Sequence, residues 1–268
     1  MPATTPNMAD FDIILVNSSA GKDSQAMLTV INEMAVAQGI QNRLVVVHAD
    51  LGRVEWQGTK ELAEEQARHY GNRFETVTRP QGDLLVQIEE RGKFPSSQAR
   101  FCTSDHKTHQ IYKVMTQLVV ELKLDRPVKI LNCLGIRAQE SPERAKKNPY
   151  KFDKTASNGK REVMTWMPIF DWSVEQVWET IRRSGVRHHE AYSLGMSRLS
   201  CVFCVFASKR DLIIATRHNP ELLAEYVAVE QRINFTFKKD TSLVQIQAWA
   251  ASDAALPKAT EYMLPCAA

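Results

Sequence analysis

Short blocks of apolar residues recur along the first half of the chain, and several of them run out into polar residues. DIILVN (12–17), RLVVVHAD (43–50), RFETVTR (73–79) and VKILNCLGIR (128–137) read as strands. Between them the apolar spacing changes to that of helices. Residues 24–38 place Met27, Leu28, Ile31, Met34 and Ala35 on one face, and Gly39 stops the pattern. GTKELAEEQARHYG (58–71), closed by Gly71, DLLVQIEERG (83–92) and the longer TSDHKTHQIYKVMTQLVVEL (103–122) read the same way. Strands alternating with helices predict an α/β protein with a doubly wound, mostly parallel, Rossmann-like sheet. Ligands in such sheets lie beyond the C-terminal ends of the strands. The polar strand ends at 17–19, 48–50 and 135–137 are therefore expected to converge on one crevice.

The second half is patterned less regularly. Residues 138–165 are polar, rich in Lys and Arg, and without clear periodicity. They are expected to form a long loop, with a surface excursion and a lid over a site both open. PIFDWSVEQVWETIRRSG then predicts a helix capped by Asp171 or Ser173, with Glu175 and Gln176 in its first turn and Trp172 and Trp178 as packing residues. RDLIIATRH and PELLAEYVAVEQRI read as helices, and the last thirty residues are weakly patterned. The division expected is a flexible segment 1–10, an α/β domain 11–185 and a helical C-terminal portion 186–268.

Composition narrows the class. A net charge of +3 on 268 residues is too small for a basic nucleic-acid binder, though it leaves room for a local basic patch. No run of 18 apolar residues reads as a membrane span. MPATTPNMADFD has neither the basic start nor the apolar core of a signal peptide, so the expected location is the cytoplasm. Five cysteines, an odd count, argue there against a disulfide framework and for metal or redox chemistry.

The first candidate site is the joint between the strand at 12–17 and the helix after it. Ser18, Ser19, Ala20, Gly21, Lys22, Asp23 and Ser24 combine small residues, a cation and a carboxylate at a helix N-terminus. Small residues let backbone approach a ligand, and the unpaired N–H groups with the positive dipole end favour an anion, most often phosphate. The alternative is a tight turn with a good N-cap and a solvated lysine.

This loop resembles the S-G-G-K-D-S signature of the PP-loop ATP-pyrophosphatase superfamily, the adenine nucleotide α-hydrolases, with Ala20 in place of one glycine. Alanine keeps such a loop as long as its φ stays negative. Four more segments, in order, resemble the PAPS (phosphoadenylylsulfate) reductase relatives within that superfamily: RFCTSDHKTHQI (100–111), GIRAQESPER (135–144), MPIFDWSVEQVWETI (167–181) and HEAYSLGMSRLSCVFC (189–204). The resemblance implies an adenine-nucleotide α-hydrolase fold and α-phosphate chemistry on ATP, with Mg²⁺. It places the loop backbone and Lys22 on the phosphates. Arg137, Arg144 and Lys107 would complete a cationic clamp, Asp23 would bind Mg²⁺ or cap the helix, and Gly135, His48 and Asp50 would lie near the nucleotide.

The second candidate site is the cysteines. Cys201 and Cys204 form C-x-x-C, a spacing that sets two thiolates at one metal or cluster, and Cys102 lies about a hundred residues earlier. Zinc on these three with His106, His188 or His189 is one reading, and buried free thiols another. The cluster-bearing branch of the family carries a 4Fe–4S cluster on the matching segments, with a Cys-Cys pair where this chain has Phe101-Cys102. The resemblance thus implies Cys102, Cys201 and Cys204 as ligands. The fourth position would fall to Cys133, to Cys266 or to a non-protein group. Cys133 sits in an apolar strand and is expected to pack there. Cys266, in LPCAA, keeps the tail cysteine of the reductases but not its Glu, Gly and His neighbours.

Three functions follow from the resemblance. One is an ATP-pyrophosphatase-type enzyme that adenylates an acceptor, such as a nucleic-acid phosphate in DNA phosphorothioation, with sulfur from a cysteine desulfurase or another donor protein. Another is a sulfonucleotide (PAPS or adenylylsulfate) reductase that releases sulfite through Cys266. The last is a non-catalytic nucleotide-sensing subunit. The lost tail motif favours the first, no membrane partner is expected, and assembly as a homo-oligomer stays open.

Overall fold

The computed structural model describes residues 5–252 and 256–257. In chain order the regular elements are β1 (Ile13–Ser18), α1 (Lys22–Ala37), β2 (Leu44–Ala49), α2 (Thr59–His69), β3 (Arg73–Val77), α3 (Leu84–Arg91), α4 (Phe101–Thr103), α5 (His109–Leu122), β4 (Val128–Leu134), α6 (Pro142–Ala145), β5 (Tyr150–Phe152), β6 (Arg161–Trp166), α7 (Val174–Ser184), α8 (Lys209–His218), α9 (Pro220–Ile233) and α10 (Leu243–Ala251). The expected strands and helices are found within a few residues of their predicted ends. Ser173 is the cap of α7, in a capping box with Gln176, and Trp178 is buried. The helix expected at 103–122 contains a π turn at Ser104–Thr108 between α4 and α5.

The chain divides into two compact units. The first comprises 1–49, 59–77 and 111–188 and carries the sheet, in the order β3-β2-β1-β4-β6-β5. All neighbours are parallel except β5, which pairs antiparallel with β6 at the edge. Strand order reverses between β1 and β4, which places the ligand crevice of a doubly wound sheet at their C-terminal ends. One face of the sheet packs Ile13, Leu15, Val45, Val47, Ile130 and Val163 against Val114, Met115 and Leu118 of α5.

The long loop expected at 138–165 is corrected. It holds α6, β5 and β6, and β6 is an interior strand paired with β4 from Val128↔Arg161 to Cys133↔Trp166. Polar residues, Arg161 and Thr165, occupy two of its four buried positions. Arg161 is buried and donates from Nε to Ala156 O (2.7 Å) and from Nη1 to Tyr112 O (3.0 Å) and Thr116 Oγ1 (2.8 Å). Its charge is thereby met by three acceptors rather than by solvent.

The second unit comprises 50–58, 78–110 and 189–268. The expected boundary at 185/186 falls three residues before its last segment, but the unit also takes two segments from the first half of the chain. They share one apolar core. Leu51, Val54 and Trp56 join Leu84, Leu85, Ile88, Phe94 and Phe101, and these join Leu212, Tyr226, Phe237 and Ile246 of the C-terminal helices. Among the described residues no helix is long and apolar enough to cross a membrane.

Candidate functional site

β1 ends at Ser18 and α1 starts at Lys22, so the candidate phosphate loop is the turn between them. Gly21 is the N-cap and has no side chain to cap with. Backbone N–H groups of the first turn are left without helical acceptors, as at any helix start. The turn is tied to itself: Ser24 Oγ donates to Gly21 O (2.9 Å) and accepts from Ser19 N (3.2 Å), and Ala20 N donates to Ser18 Oγ (3.2 Å). Ala20 has φ +54°, the left-handed region. The condition that its φ stay negative is not met, and the turn forms with a strained alanine where glycine would be relaxed.

Gly135, just past β4, explains itself by contact. A Cβ there would lie 2.9 Å from Ser24 N and 3.0 Å from the carbonyl carbon and oxygen of Asp23. Only glycine lets the β4 end approach the start of α1 this closely. His48 stands opposite Ser18 in the β1–β2 register and donates from Nδ1 to Ser18 O (3.0 Å), so it is buried as a brace between two strand ends.

The charges converge on Asp23. Arg137 Nε donates to Asp23 Oδ1 at 2.5 Å, and Lys22 Nζ lies 3.5 Å from Asp23 Oδ2. Both cations have side chains only 1% exposed. Arg137 also donates from Nη1 to Gln139 Oε1 (2.9 Å), and its backbone N–H donates to Glu140 Oε2 (3.0 Å). Glu140 is in turn ion-paired with Arg144. Lys22, Asp23, Arg137, Glu140 and Arg144 together sum to one net positive charge, held at a helix N-terminus. Such an arrangement can take an anion. Asp23 bridges two cations in this structure rather than capping α1.

Lys107 and Asp50 belong to the second unit. Asp50 Oδ1 accepts from Gly52 N (2.8 Å) in a turn. Lys107 acts on the thiols there: its charge draws down the pKa of both Cys102 and Cys201.

Cys102 and Cys201 pack against the same apolar core in that unit, and a charge on Cys204 would raise the pKa of both. Cys102 follows the start of α4. The C-x-x-C loop is fixed by Val202 N donating to Val54 O (2.9 Å) and Ala207 N to Cys204 O (2.9 Å). Burial raises the Cys102 thiol and pushes Cys201 up to about 12. Lys238, its pKa lowered by burial and raised in part by nearby Cys204, donates to Ala207 O (2.7 Å). Three thiols in one unit, with Lys107 acting on Cys102 and Cys201 and Lys238 beside Cys204, suit a sulfur-ligated, net-anionic metal group, so the donor set fits an iron–sulfur cluster.

The other candidate ligands are occupied elsewhere. His106 is buried neutral, its pKa pushed down to about 4 by burial, and donates from Nε2 to Gln87 Oε1 (2.9 Å). His189 caps a turn by accepting from Ala191 N at Nδ1 (3.1 Å). His188 belongs to the first unit, edge-on to Trp178 at 5.5 Å. Cys133 is wholly buried in β4, its thiol 3.8 Å from Leu131 O, and packs as expected. Cys266 lies outside the described residues. Sequence reasoning missed the part of Glu140, Gln139 and Gly135 in fixing Arg137 and the turn. The Glu three residues after Arg137 was the available signal.

The chain is 27% identical over 173 residues, 64% of its length, to an uncharacterised 37.8 kDa protein of Escherichia phage 186, and spans about half (50%) of that relative. It is 25% identical over 203 residues, 74% of its length and 70% of the relative's, to the adenosine 5'-phosphosulfate reductase of Allochromatium vinosum. The phosphoadenylyl-sulfate reductase of Candida auris, solved as a phosphate complex, has the same fold at a TM-score of 0.50 and 14% identity, over 73% of this chain and 84% of that one. Residues 13–207 match the phosphoadenosine phosphosulfate reductase domain, a stretch that holds the β1–α1 turn, Arg137 and all three clustered cysteines. The chain belongs to that domain family.

Proposed function

We propose that the β1–α1 turn binds an adenine nucleotide by its phosphates, and that the protein cleaves ATP between the α- and β-phosphates to adenylate an acceptor in a sulfur-transfer pathway. The observation that carries this reading is the pair of buried cations, Lys22 and Arg137, set against the single carboxylate of Asp23 at the start of α1. An acceptor oxygen attacks the α-phosphorus as the bond to the bridging oxygen breaks, and pyrophosphate leaves with that electron pair. Lys22 and the first N–H groups of α1 stabilise the charge that grows on the leaving group, the term that preorganised donors supply best. Arg137 steadies Asp23 and faces the α-phosphate. Mg²⁺ bound to the nucleotide adds charge neutralisation.

Cys102, Cys201 and Cys204 hold a 4Fe–4S cluster in this reading, which supplies an iron with an open position for a sulfur-bearing group. A nucleic-acid phosphate as acceptor and a cysteine desulfurase or similar protein as sulfur donor are the partners it calls for.

The named relative from Allochromatium vinosum favours a second reading, a sulfonucleotide reductase that releases sulfite. Two assays run side by side separate them. Pyrophosphate release from ATP that survives Cys266→Ser and fails in Lys22→Ala is expected. Sulfite release that needs Cys266, with no pyrophosphate from ATP under any acceptor, overturns the first reading. Lys22→Ala is expected to weaken nucleotide binding by about 1.5–3 kcal/mol, the scale of a hydrogen bond to a charged group. Unchanged affinity by calorimetry removes the turn from the site.

A further inference from the structure

Tyr226, on α9, is 1% exposed and lies in the core of the second unit. Its ring is 5.2 Å from that of Phe203, tilted at 59°, and stacks on Phe94 at 6.4 Å. Phe203 is one of the two residues between Cys201 and Cys204, so this contact sets the tyrosine beside the C-x-x-C loop. The hydroxyl is buried and makes no hydrogen bond among the described residues. Two other tyrosines show satisfied hydroxyls: Tyr192 OH accepts from Leu199 N (3.3 Å), and Tyr70 OH pairs with Thr29 Oγ1 (2.9 Å). A buried tyrosine normally finds a partner for its hydroxyl, because an unpaired one keeps the cost of leaving water. The charges that reach Tyr226 include those of Cys201 and Cys204, both of which raise its pKa along with burial. It therefore stays protonated and available as a donor beside the C-x-x-C loop.

We propose that the Tyr226 hydroxyl donates a hydrogen bond to sulfur, a cysteinate or a cluster sulfide, of the group held at Cys201 and Cys204, and so positions and tunes that group. The proposal rests on the reading of Cys102, Cys201 and Cys204 as iron–sulfur ligands. Hydrogen bonds to cluster sulfur stabilise the more reduced, more negative state and are a main lever on potential.

The test compares the anaerobically purified chain with Tyr226→Phe, which removes one oxygen and keeps the ring. Iron per chain is measured first. A wild-type chain without iron overturns the cluster reading and the proposal with it. With both proteins loaded, resonance Raman Fe–S bands are recorded in H₂O and D₂O. Bands that shift on deuteration in the wild type and lose part of that shift in Tyr226→Phe are expected. So is an about tenfold lower ratio of reduced to oxidised cluster at the wild-type midpoint. Unchanged bands and midpoint overturn the hydrogen bond and leave the cluster reading standing. Melting gives an independent sign. Iron-free Tyr226→Phe is expected to melt above iron-free wild type, because it loses an unpaired buried hydroxyl, and the loaded variant below loaded wild type. The same sign in both states overturns the proposal. Iron lost from Tyr226→Phe alone, with the iron-free variant melting no lower than wild type, supports it.

Discussion

The turn between β1 and α1 and the cysteine cluster prepare for their ligands in opposite ways. At the turn the charges are already present and already paired. Lys22 and Arg137 are buried cations that Asp23 holds in place, and Gly135 brings a second strand end against the helix start. Its readiness is a matter of backbone geometry. At the cysteines burial holds Cys201 as a neutral thiol and raises Cys102 as well. A metal bound there would have to displace protons, so its binding would be coupled to pH. A polar loop can be preformed at little cost because its charges cancel locally. A thiolate cluster cannot, because three like charges in a low-dielectric core repel.

Four experiments press on this contrast. The largest effect is expected from Cys201→Ser, which removes one of the three proposed cluster ligands. Iron per chain should fall about tenfold or more while the fold, read by circular dichroism, persists. Iron retained in full would place the ligands elsewhere.

Gly135→Ala attacks the geometric site instead. Its Cβ meets backbone atoms at 2.9–3.0 Å, which cannot rotate away. A loss of about 1–3 kcal/mol in stability is expected, as for overpacking, with weaker nucleotide binding. Unchanged melting and affinity would mean that the two backbone segments separate freely.

The pH dependence of the metal-free chain tests the other side. Cys201 has a folded pKa near 12 against an ordinary value of 9.0, so the folded state holds its proton more tightly than the unfolded one. The stability this contributes is fully present below pH ~9 and is lost as pH rises toward ~12, by about 1 kcal/mol at pH 10. Denaturant titrations from pH 7.5 to 10 read it, and Cys201→Ser should flatten the slope. A slope that persists in the variant assigns the effect to another group.

The smallest effect belongs to Ala20. At φ +54° its methyl is the strained group of the turn, so Ala20→Gly should gain about 0.5–1 kcal/mol. Part of that is offset by the greater freedom of glycine in the unfolded chain. A loss of stability would show that the alanine methyl contributes packing worth more than the strain.

The turn was legible in the sequence because everything that shapes it, apart from Gly135 and Arg137, lies within seven residues. A strand pattern, small residues and a helix pattern in direct succession leave one geometry. β6 was not legible. Its buried positions carry Arg161 and Thr165, and the acceptors that make burial of Arg161 tolerable come from Tyr112 and Thr116, some forty-five residues away. Periodicity counts only apolar side chains, so a strand that buries a fully hydrogen-bonded arginine reads as loop. The second unit was hidden for a related reason. Leu51, Phe94 and Phe101 share a core with Tyr226 and Ile246, and nothing local marks such distant partners. Cys201 and Cys204 were picked out by their spacing, and Cys102 was joined to them as a cluster ligand by family resemblance. Lys107, expected on phosphate, lies in the second unit, where its charge also reaches Cys102 and Cys201.

The π turn at Ser104–Thr108 sets the angular phase of everything before it. It accommodates an extra residue in the helical winding, and each residue of a helix turns the chain by roughly 100°. Deleting one residue there would restore regular winding into α5 and swing Cys102 by about that angle relative to the rest of the helix. The side chains that grip the turn, Gln87 and Arg91 on Asp105 and Gln87 again on His106, would lose their partners in the same movement. A segment five residues long thus fixes the angle at which Cys102 leaves the helix, and a chain one residue shorter there would keep the thiol yet turn it by roughly a quarter of a circle.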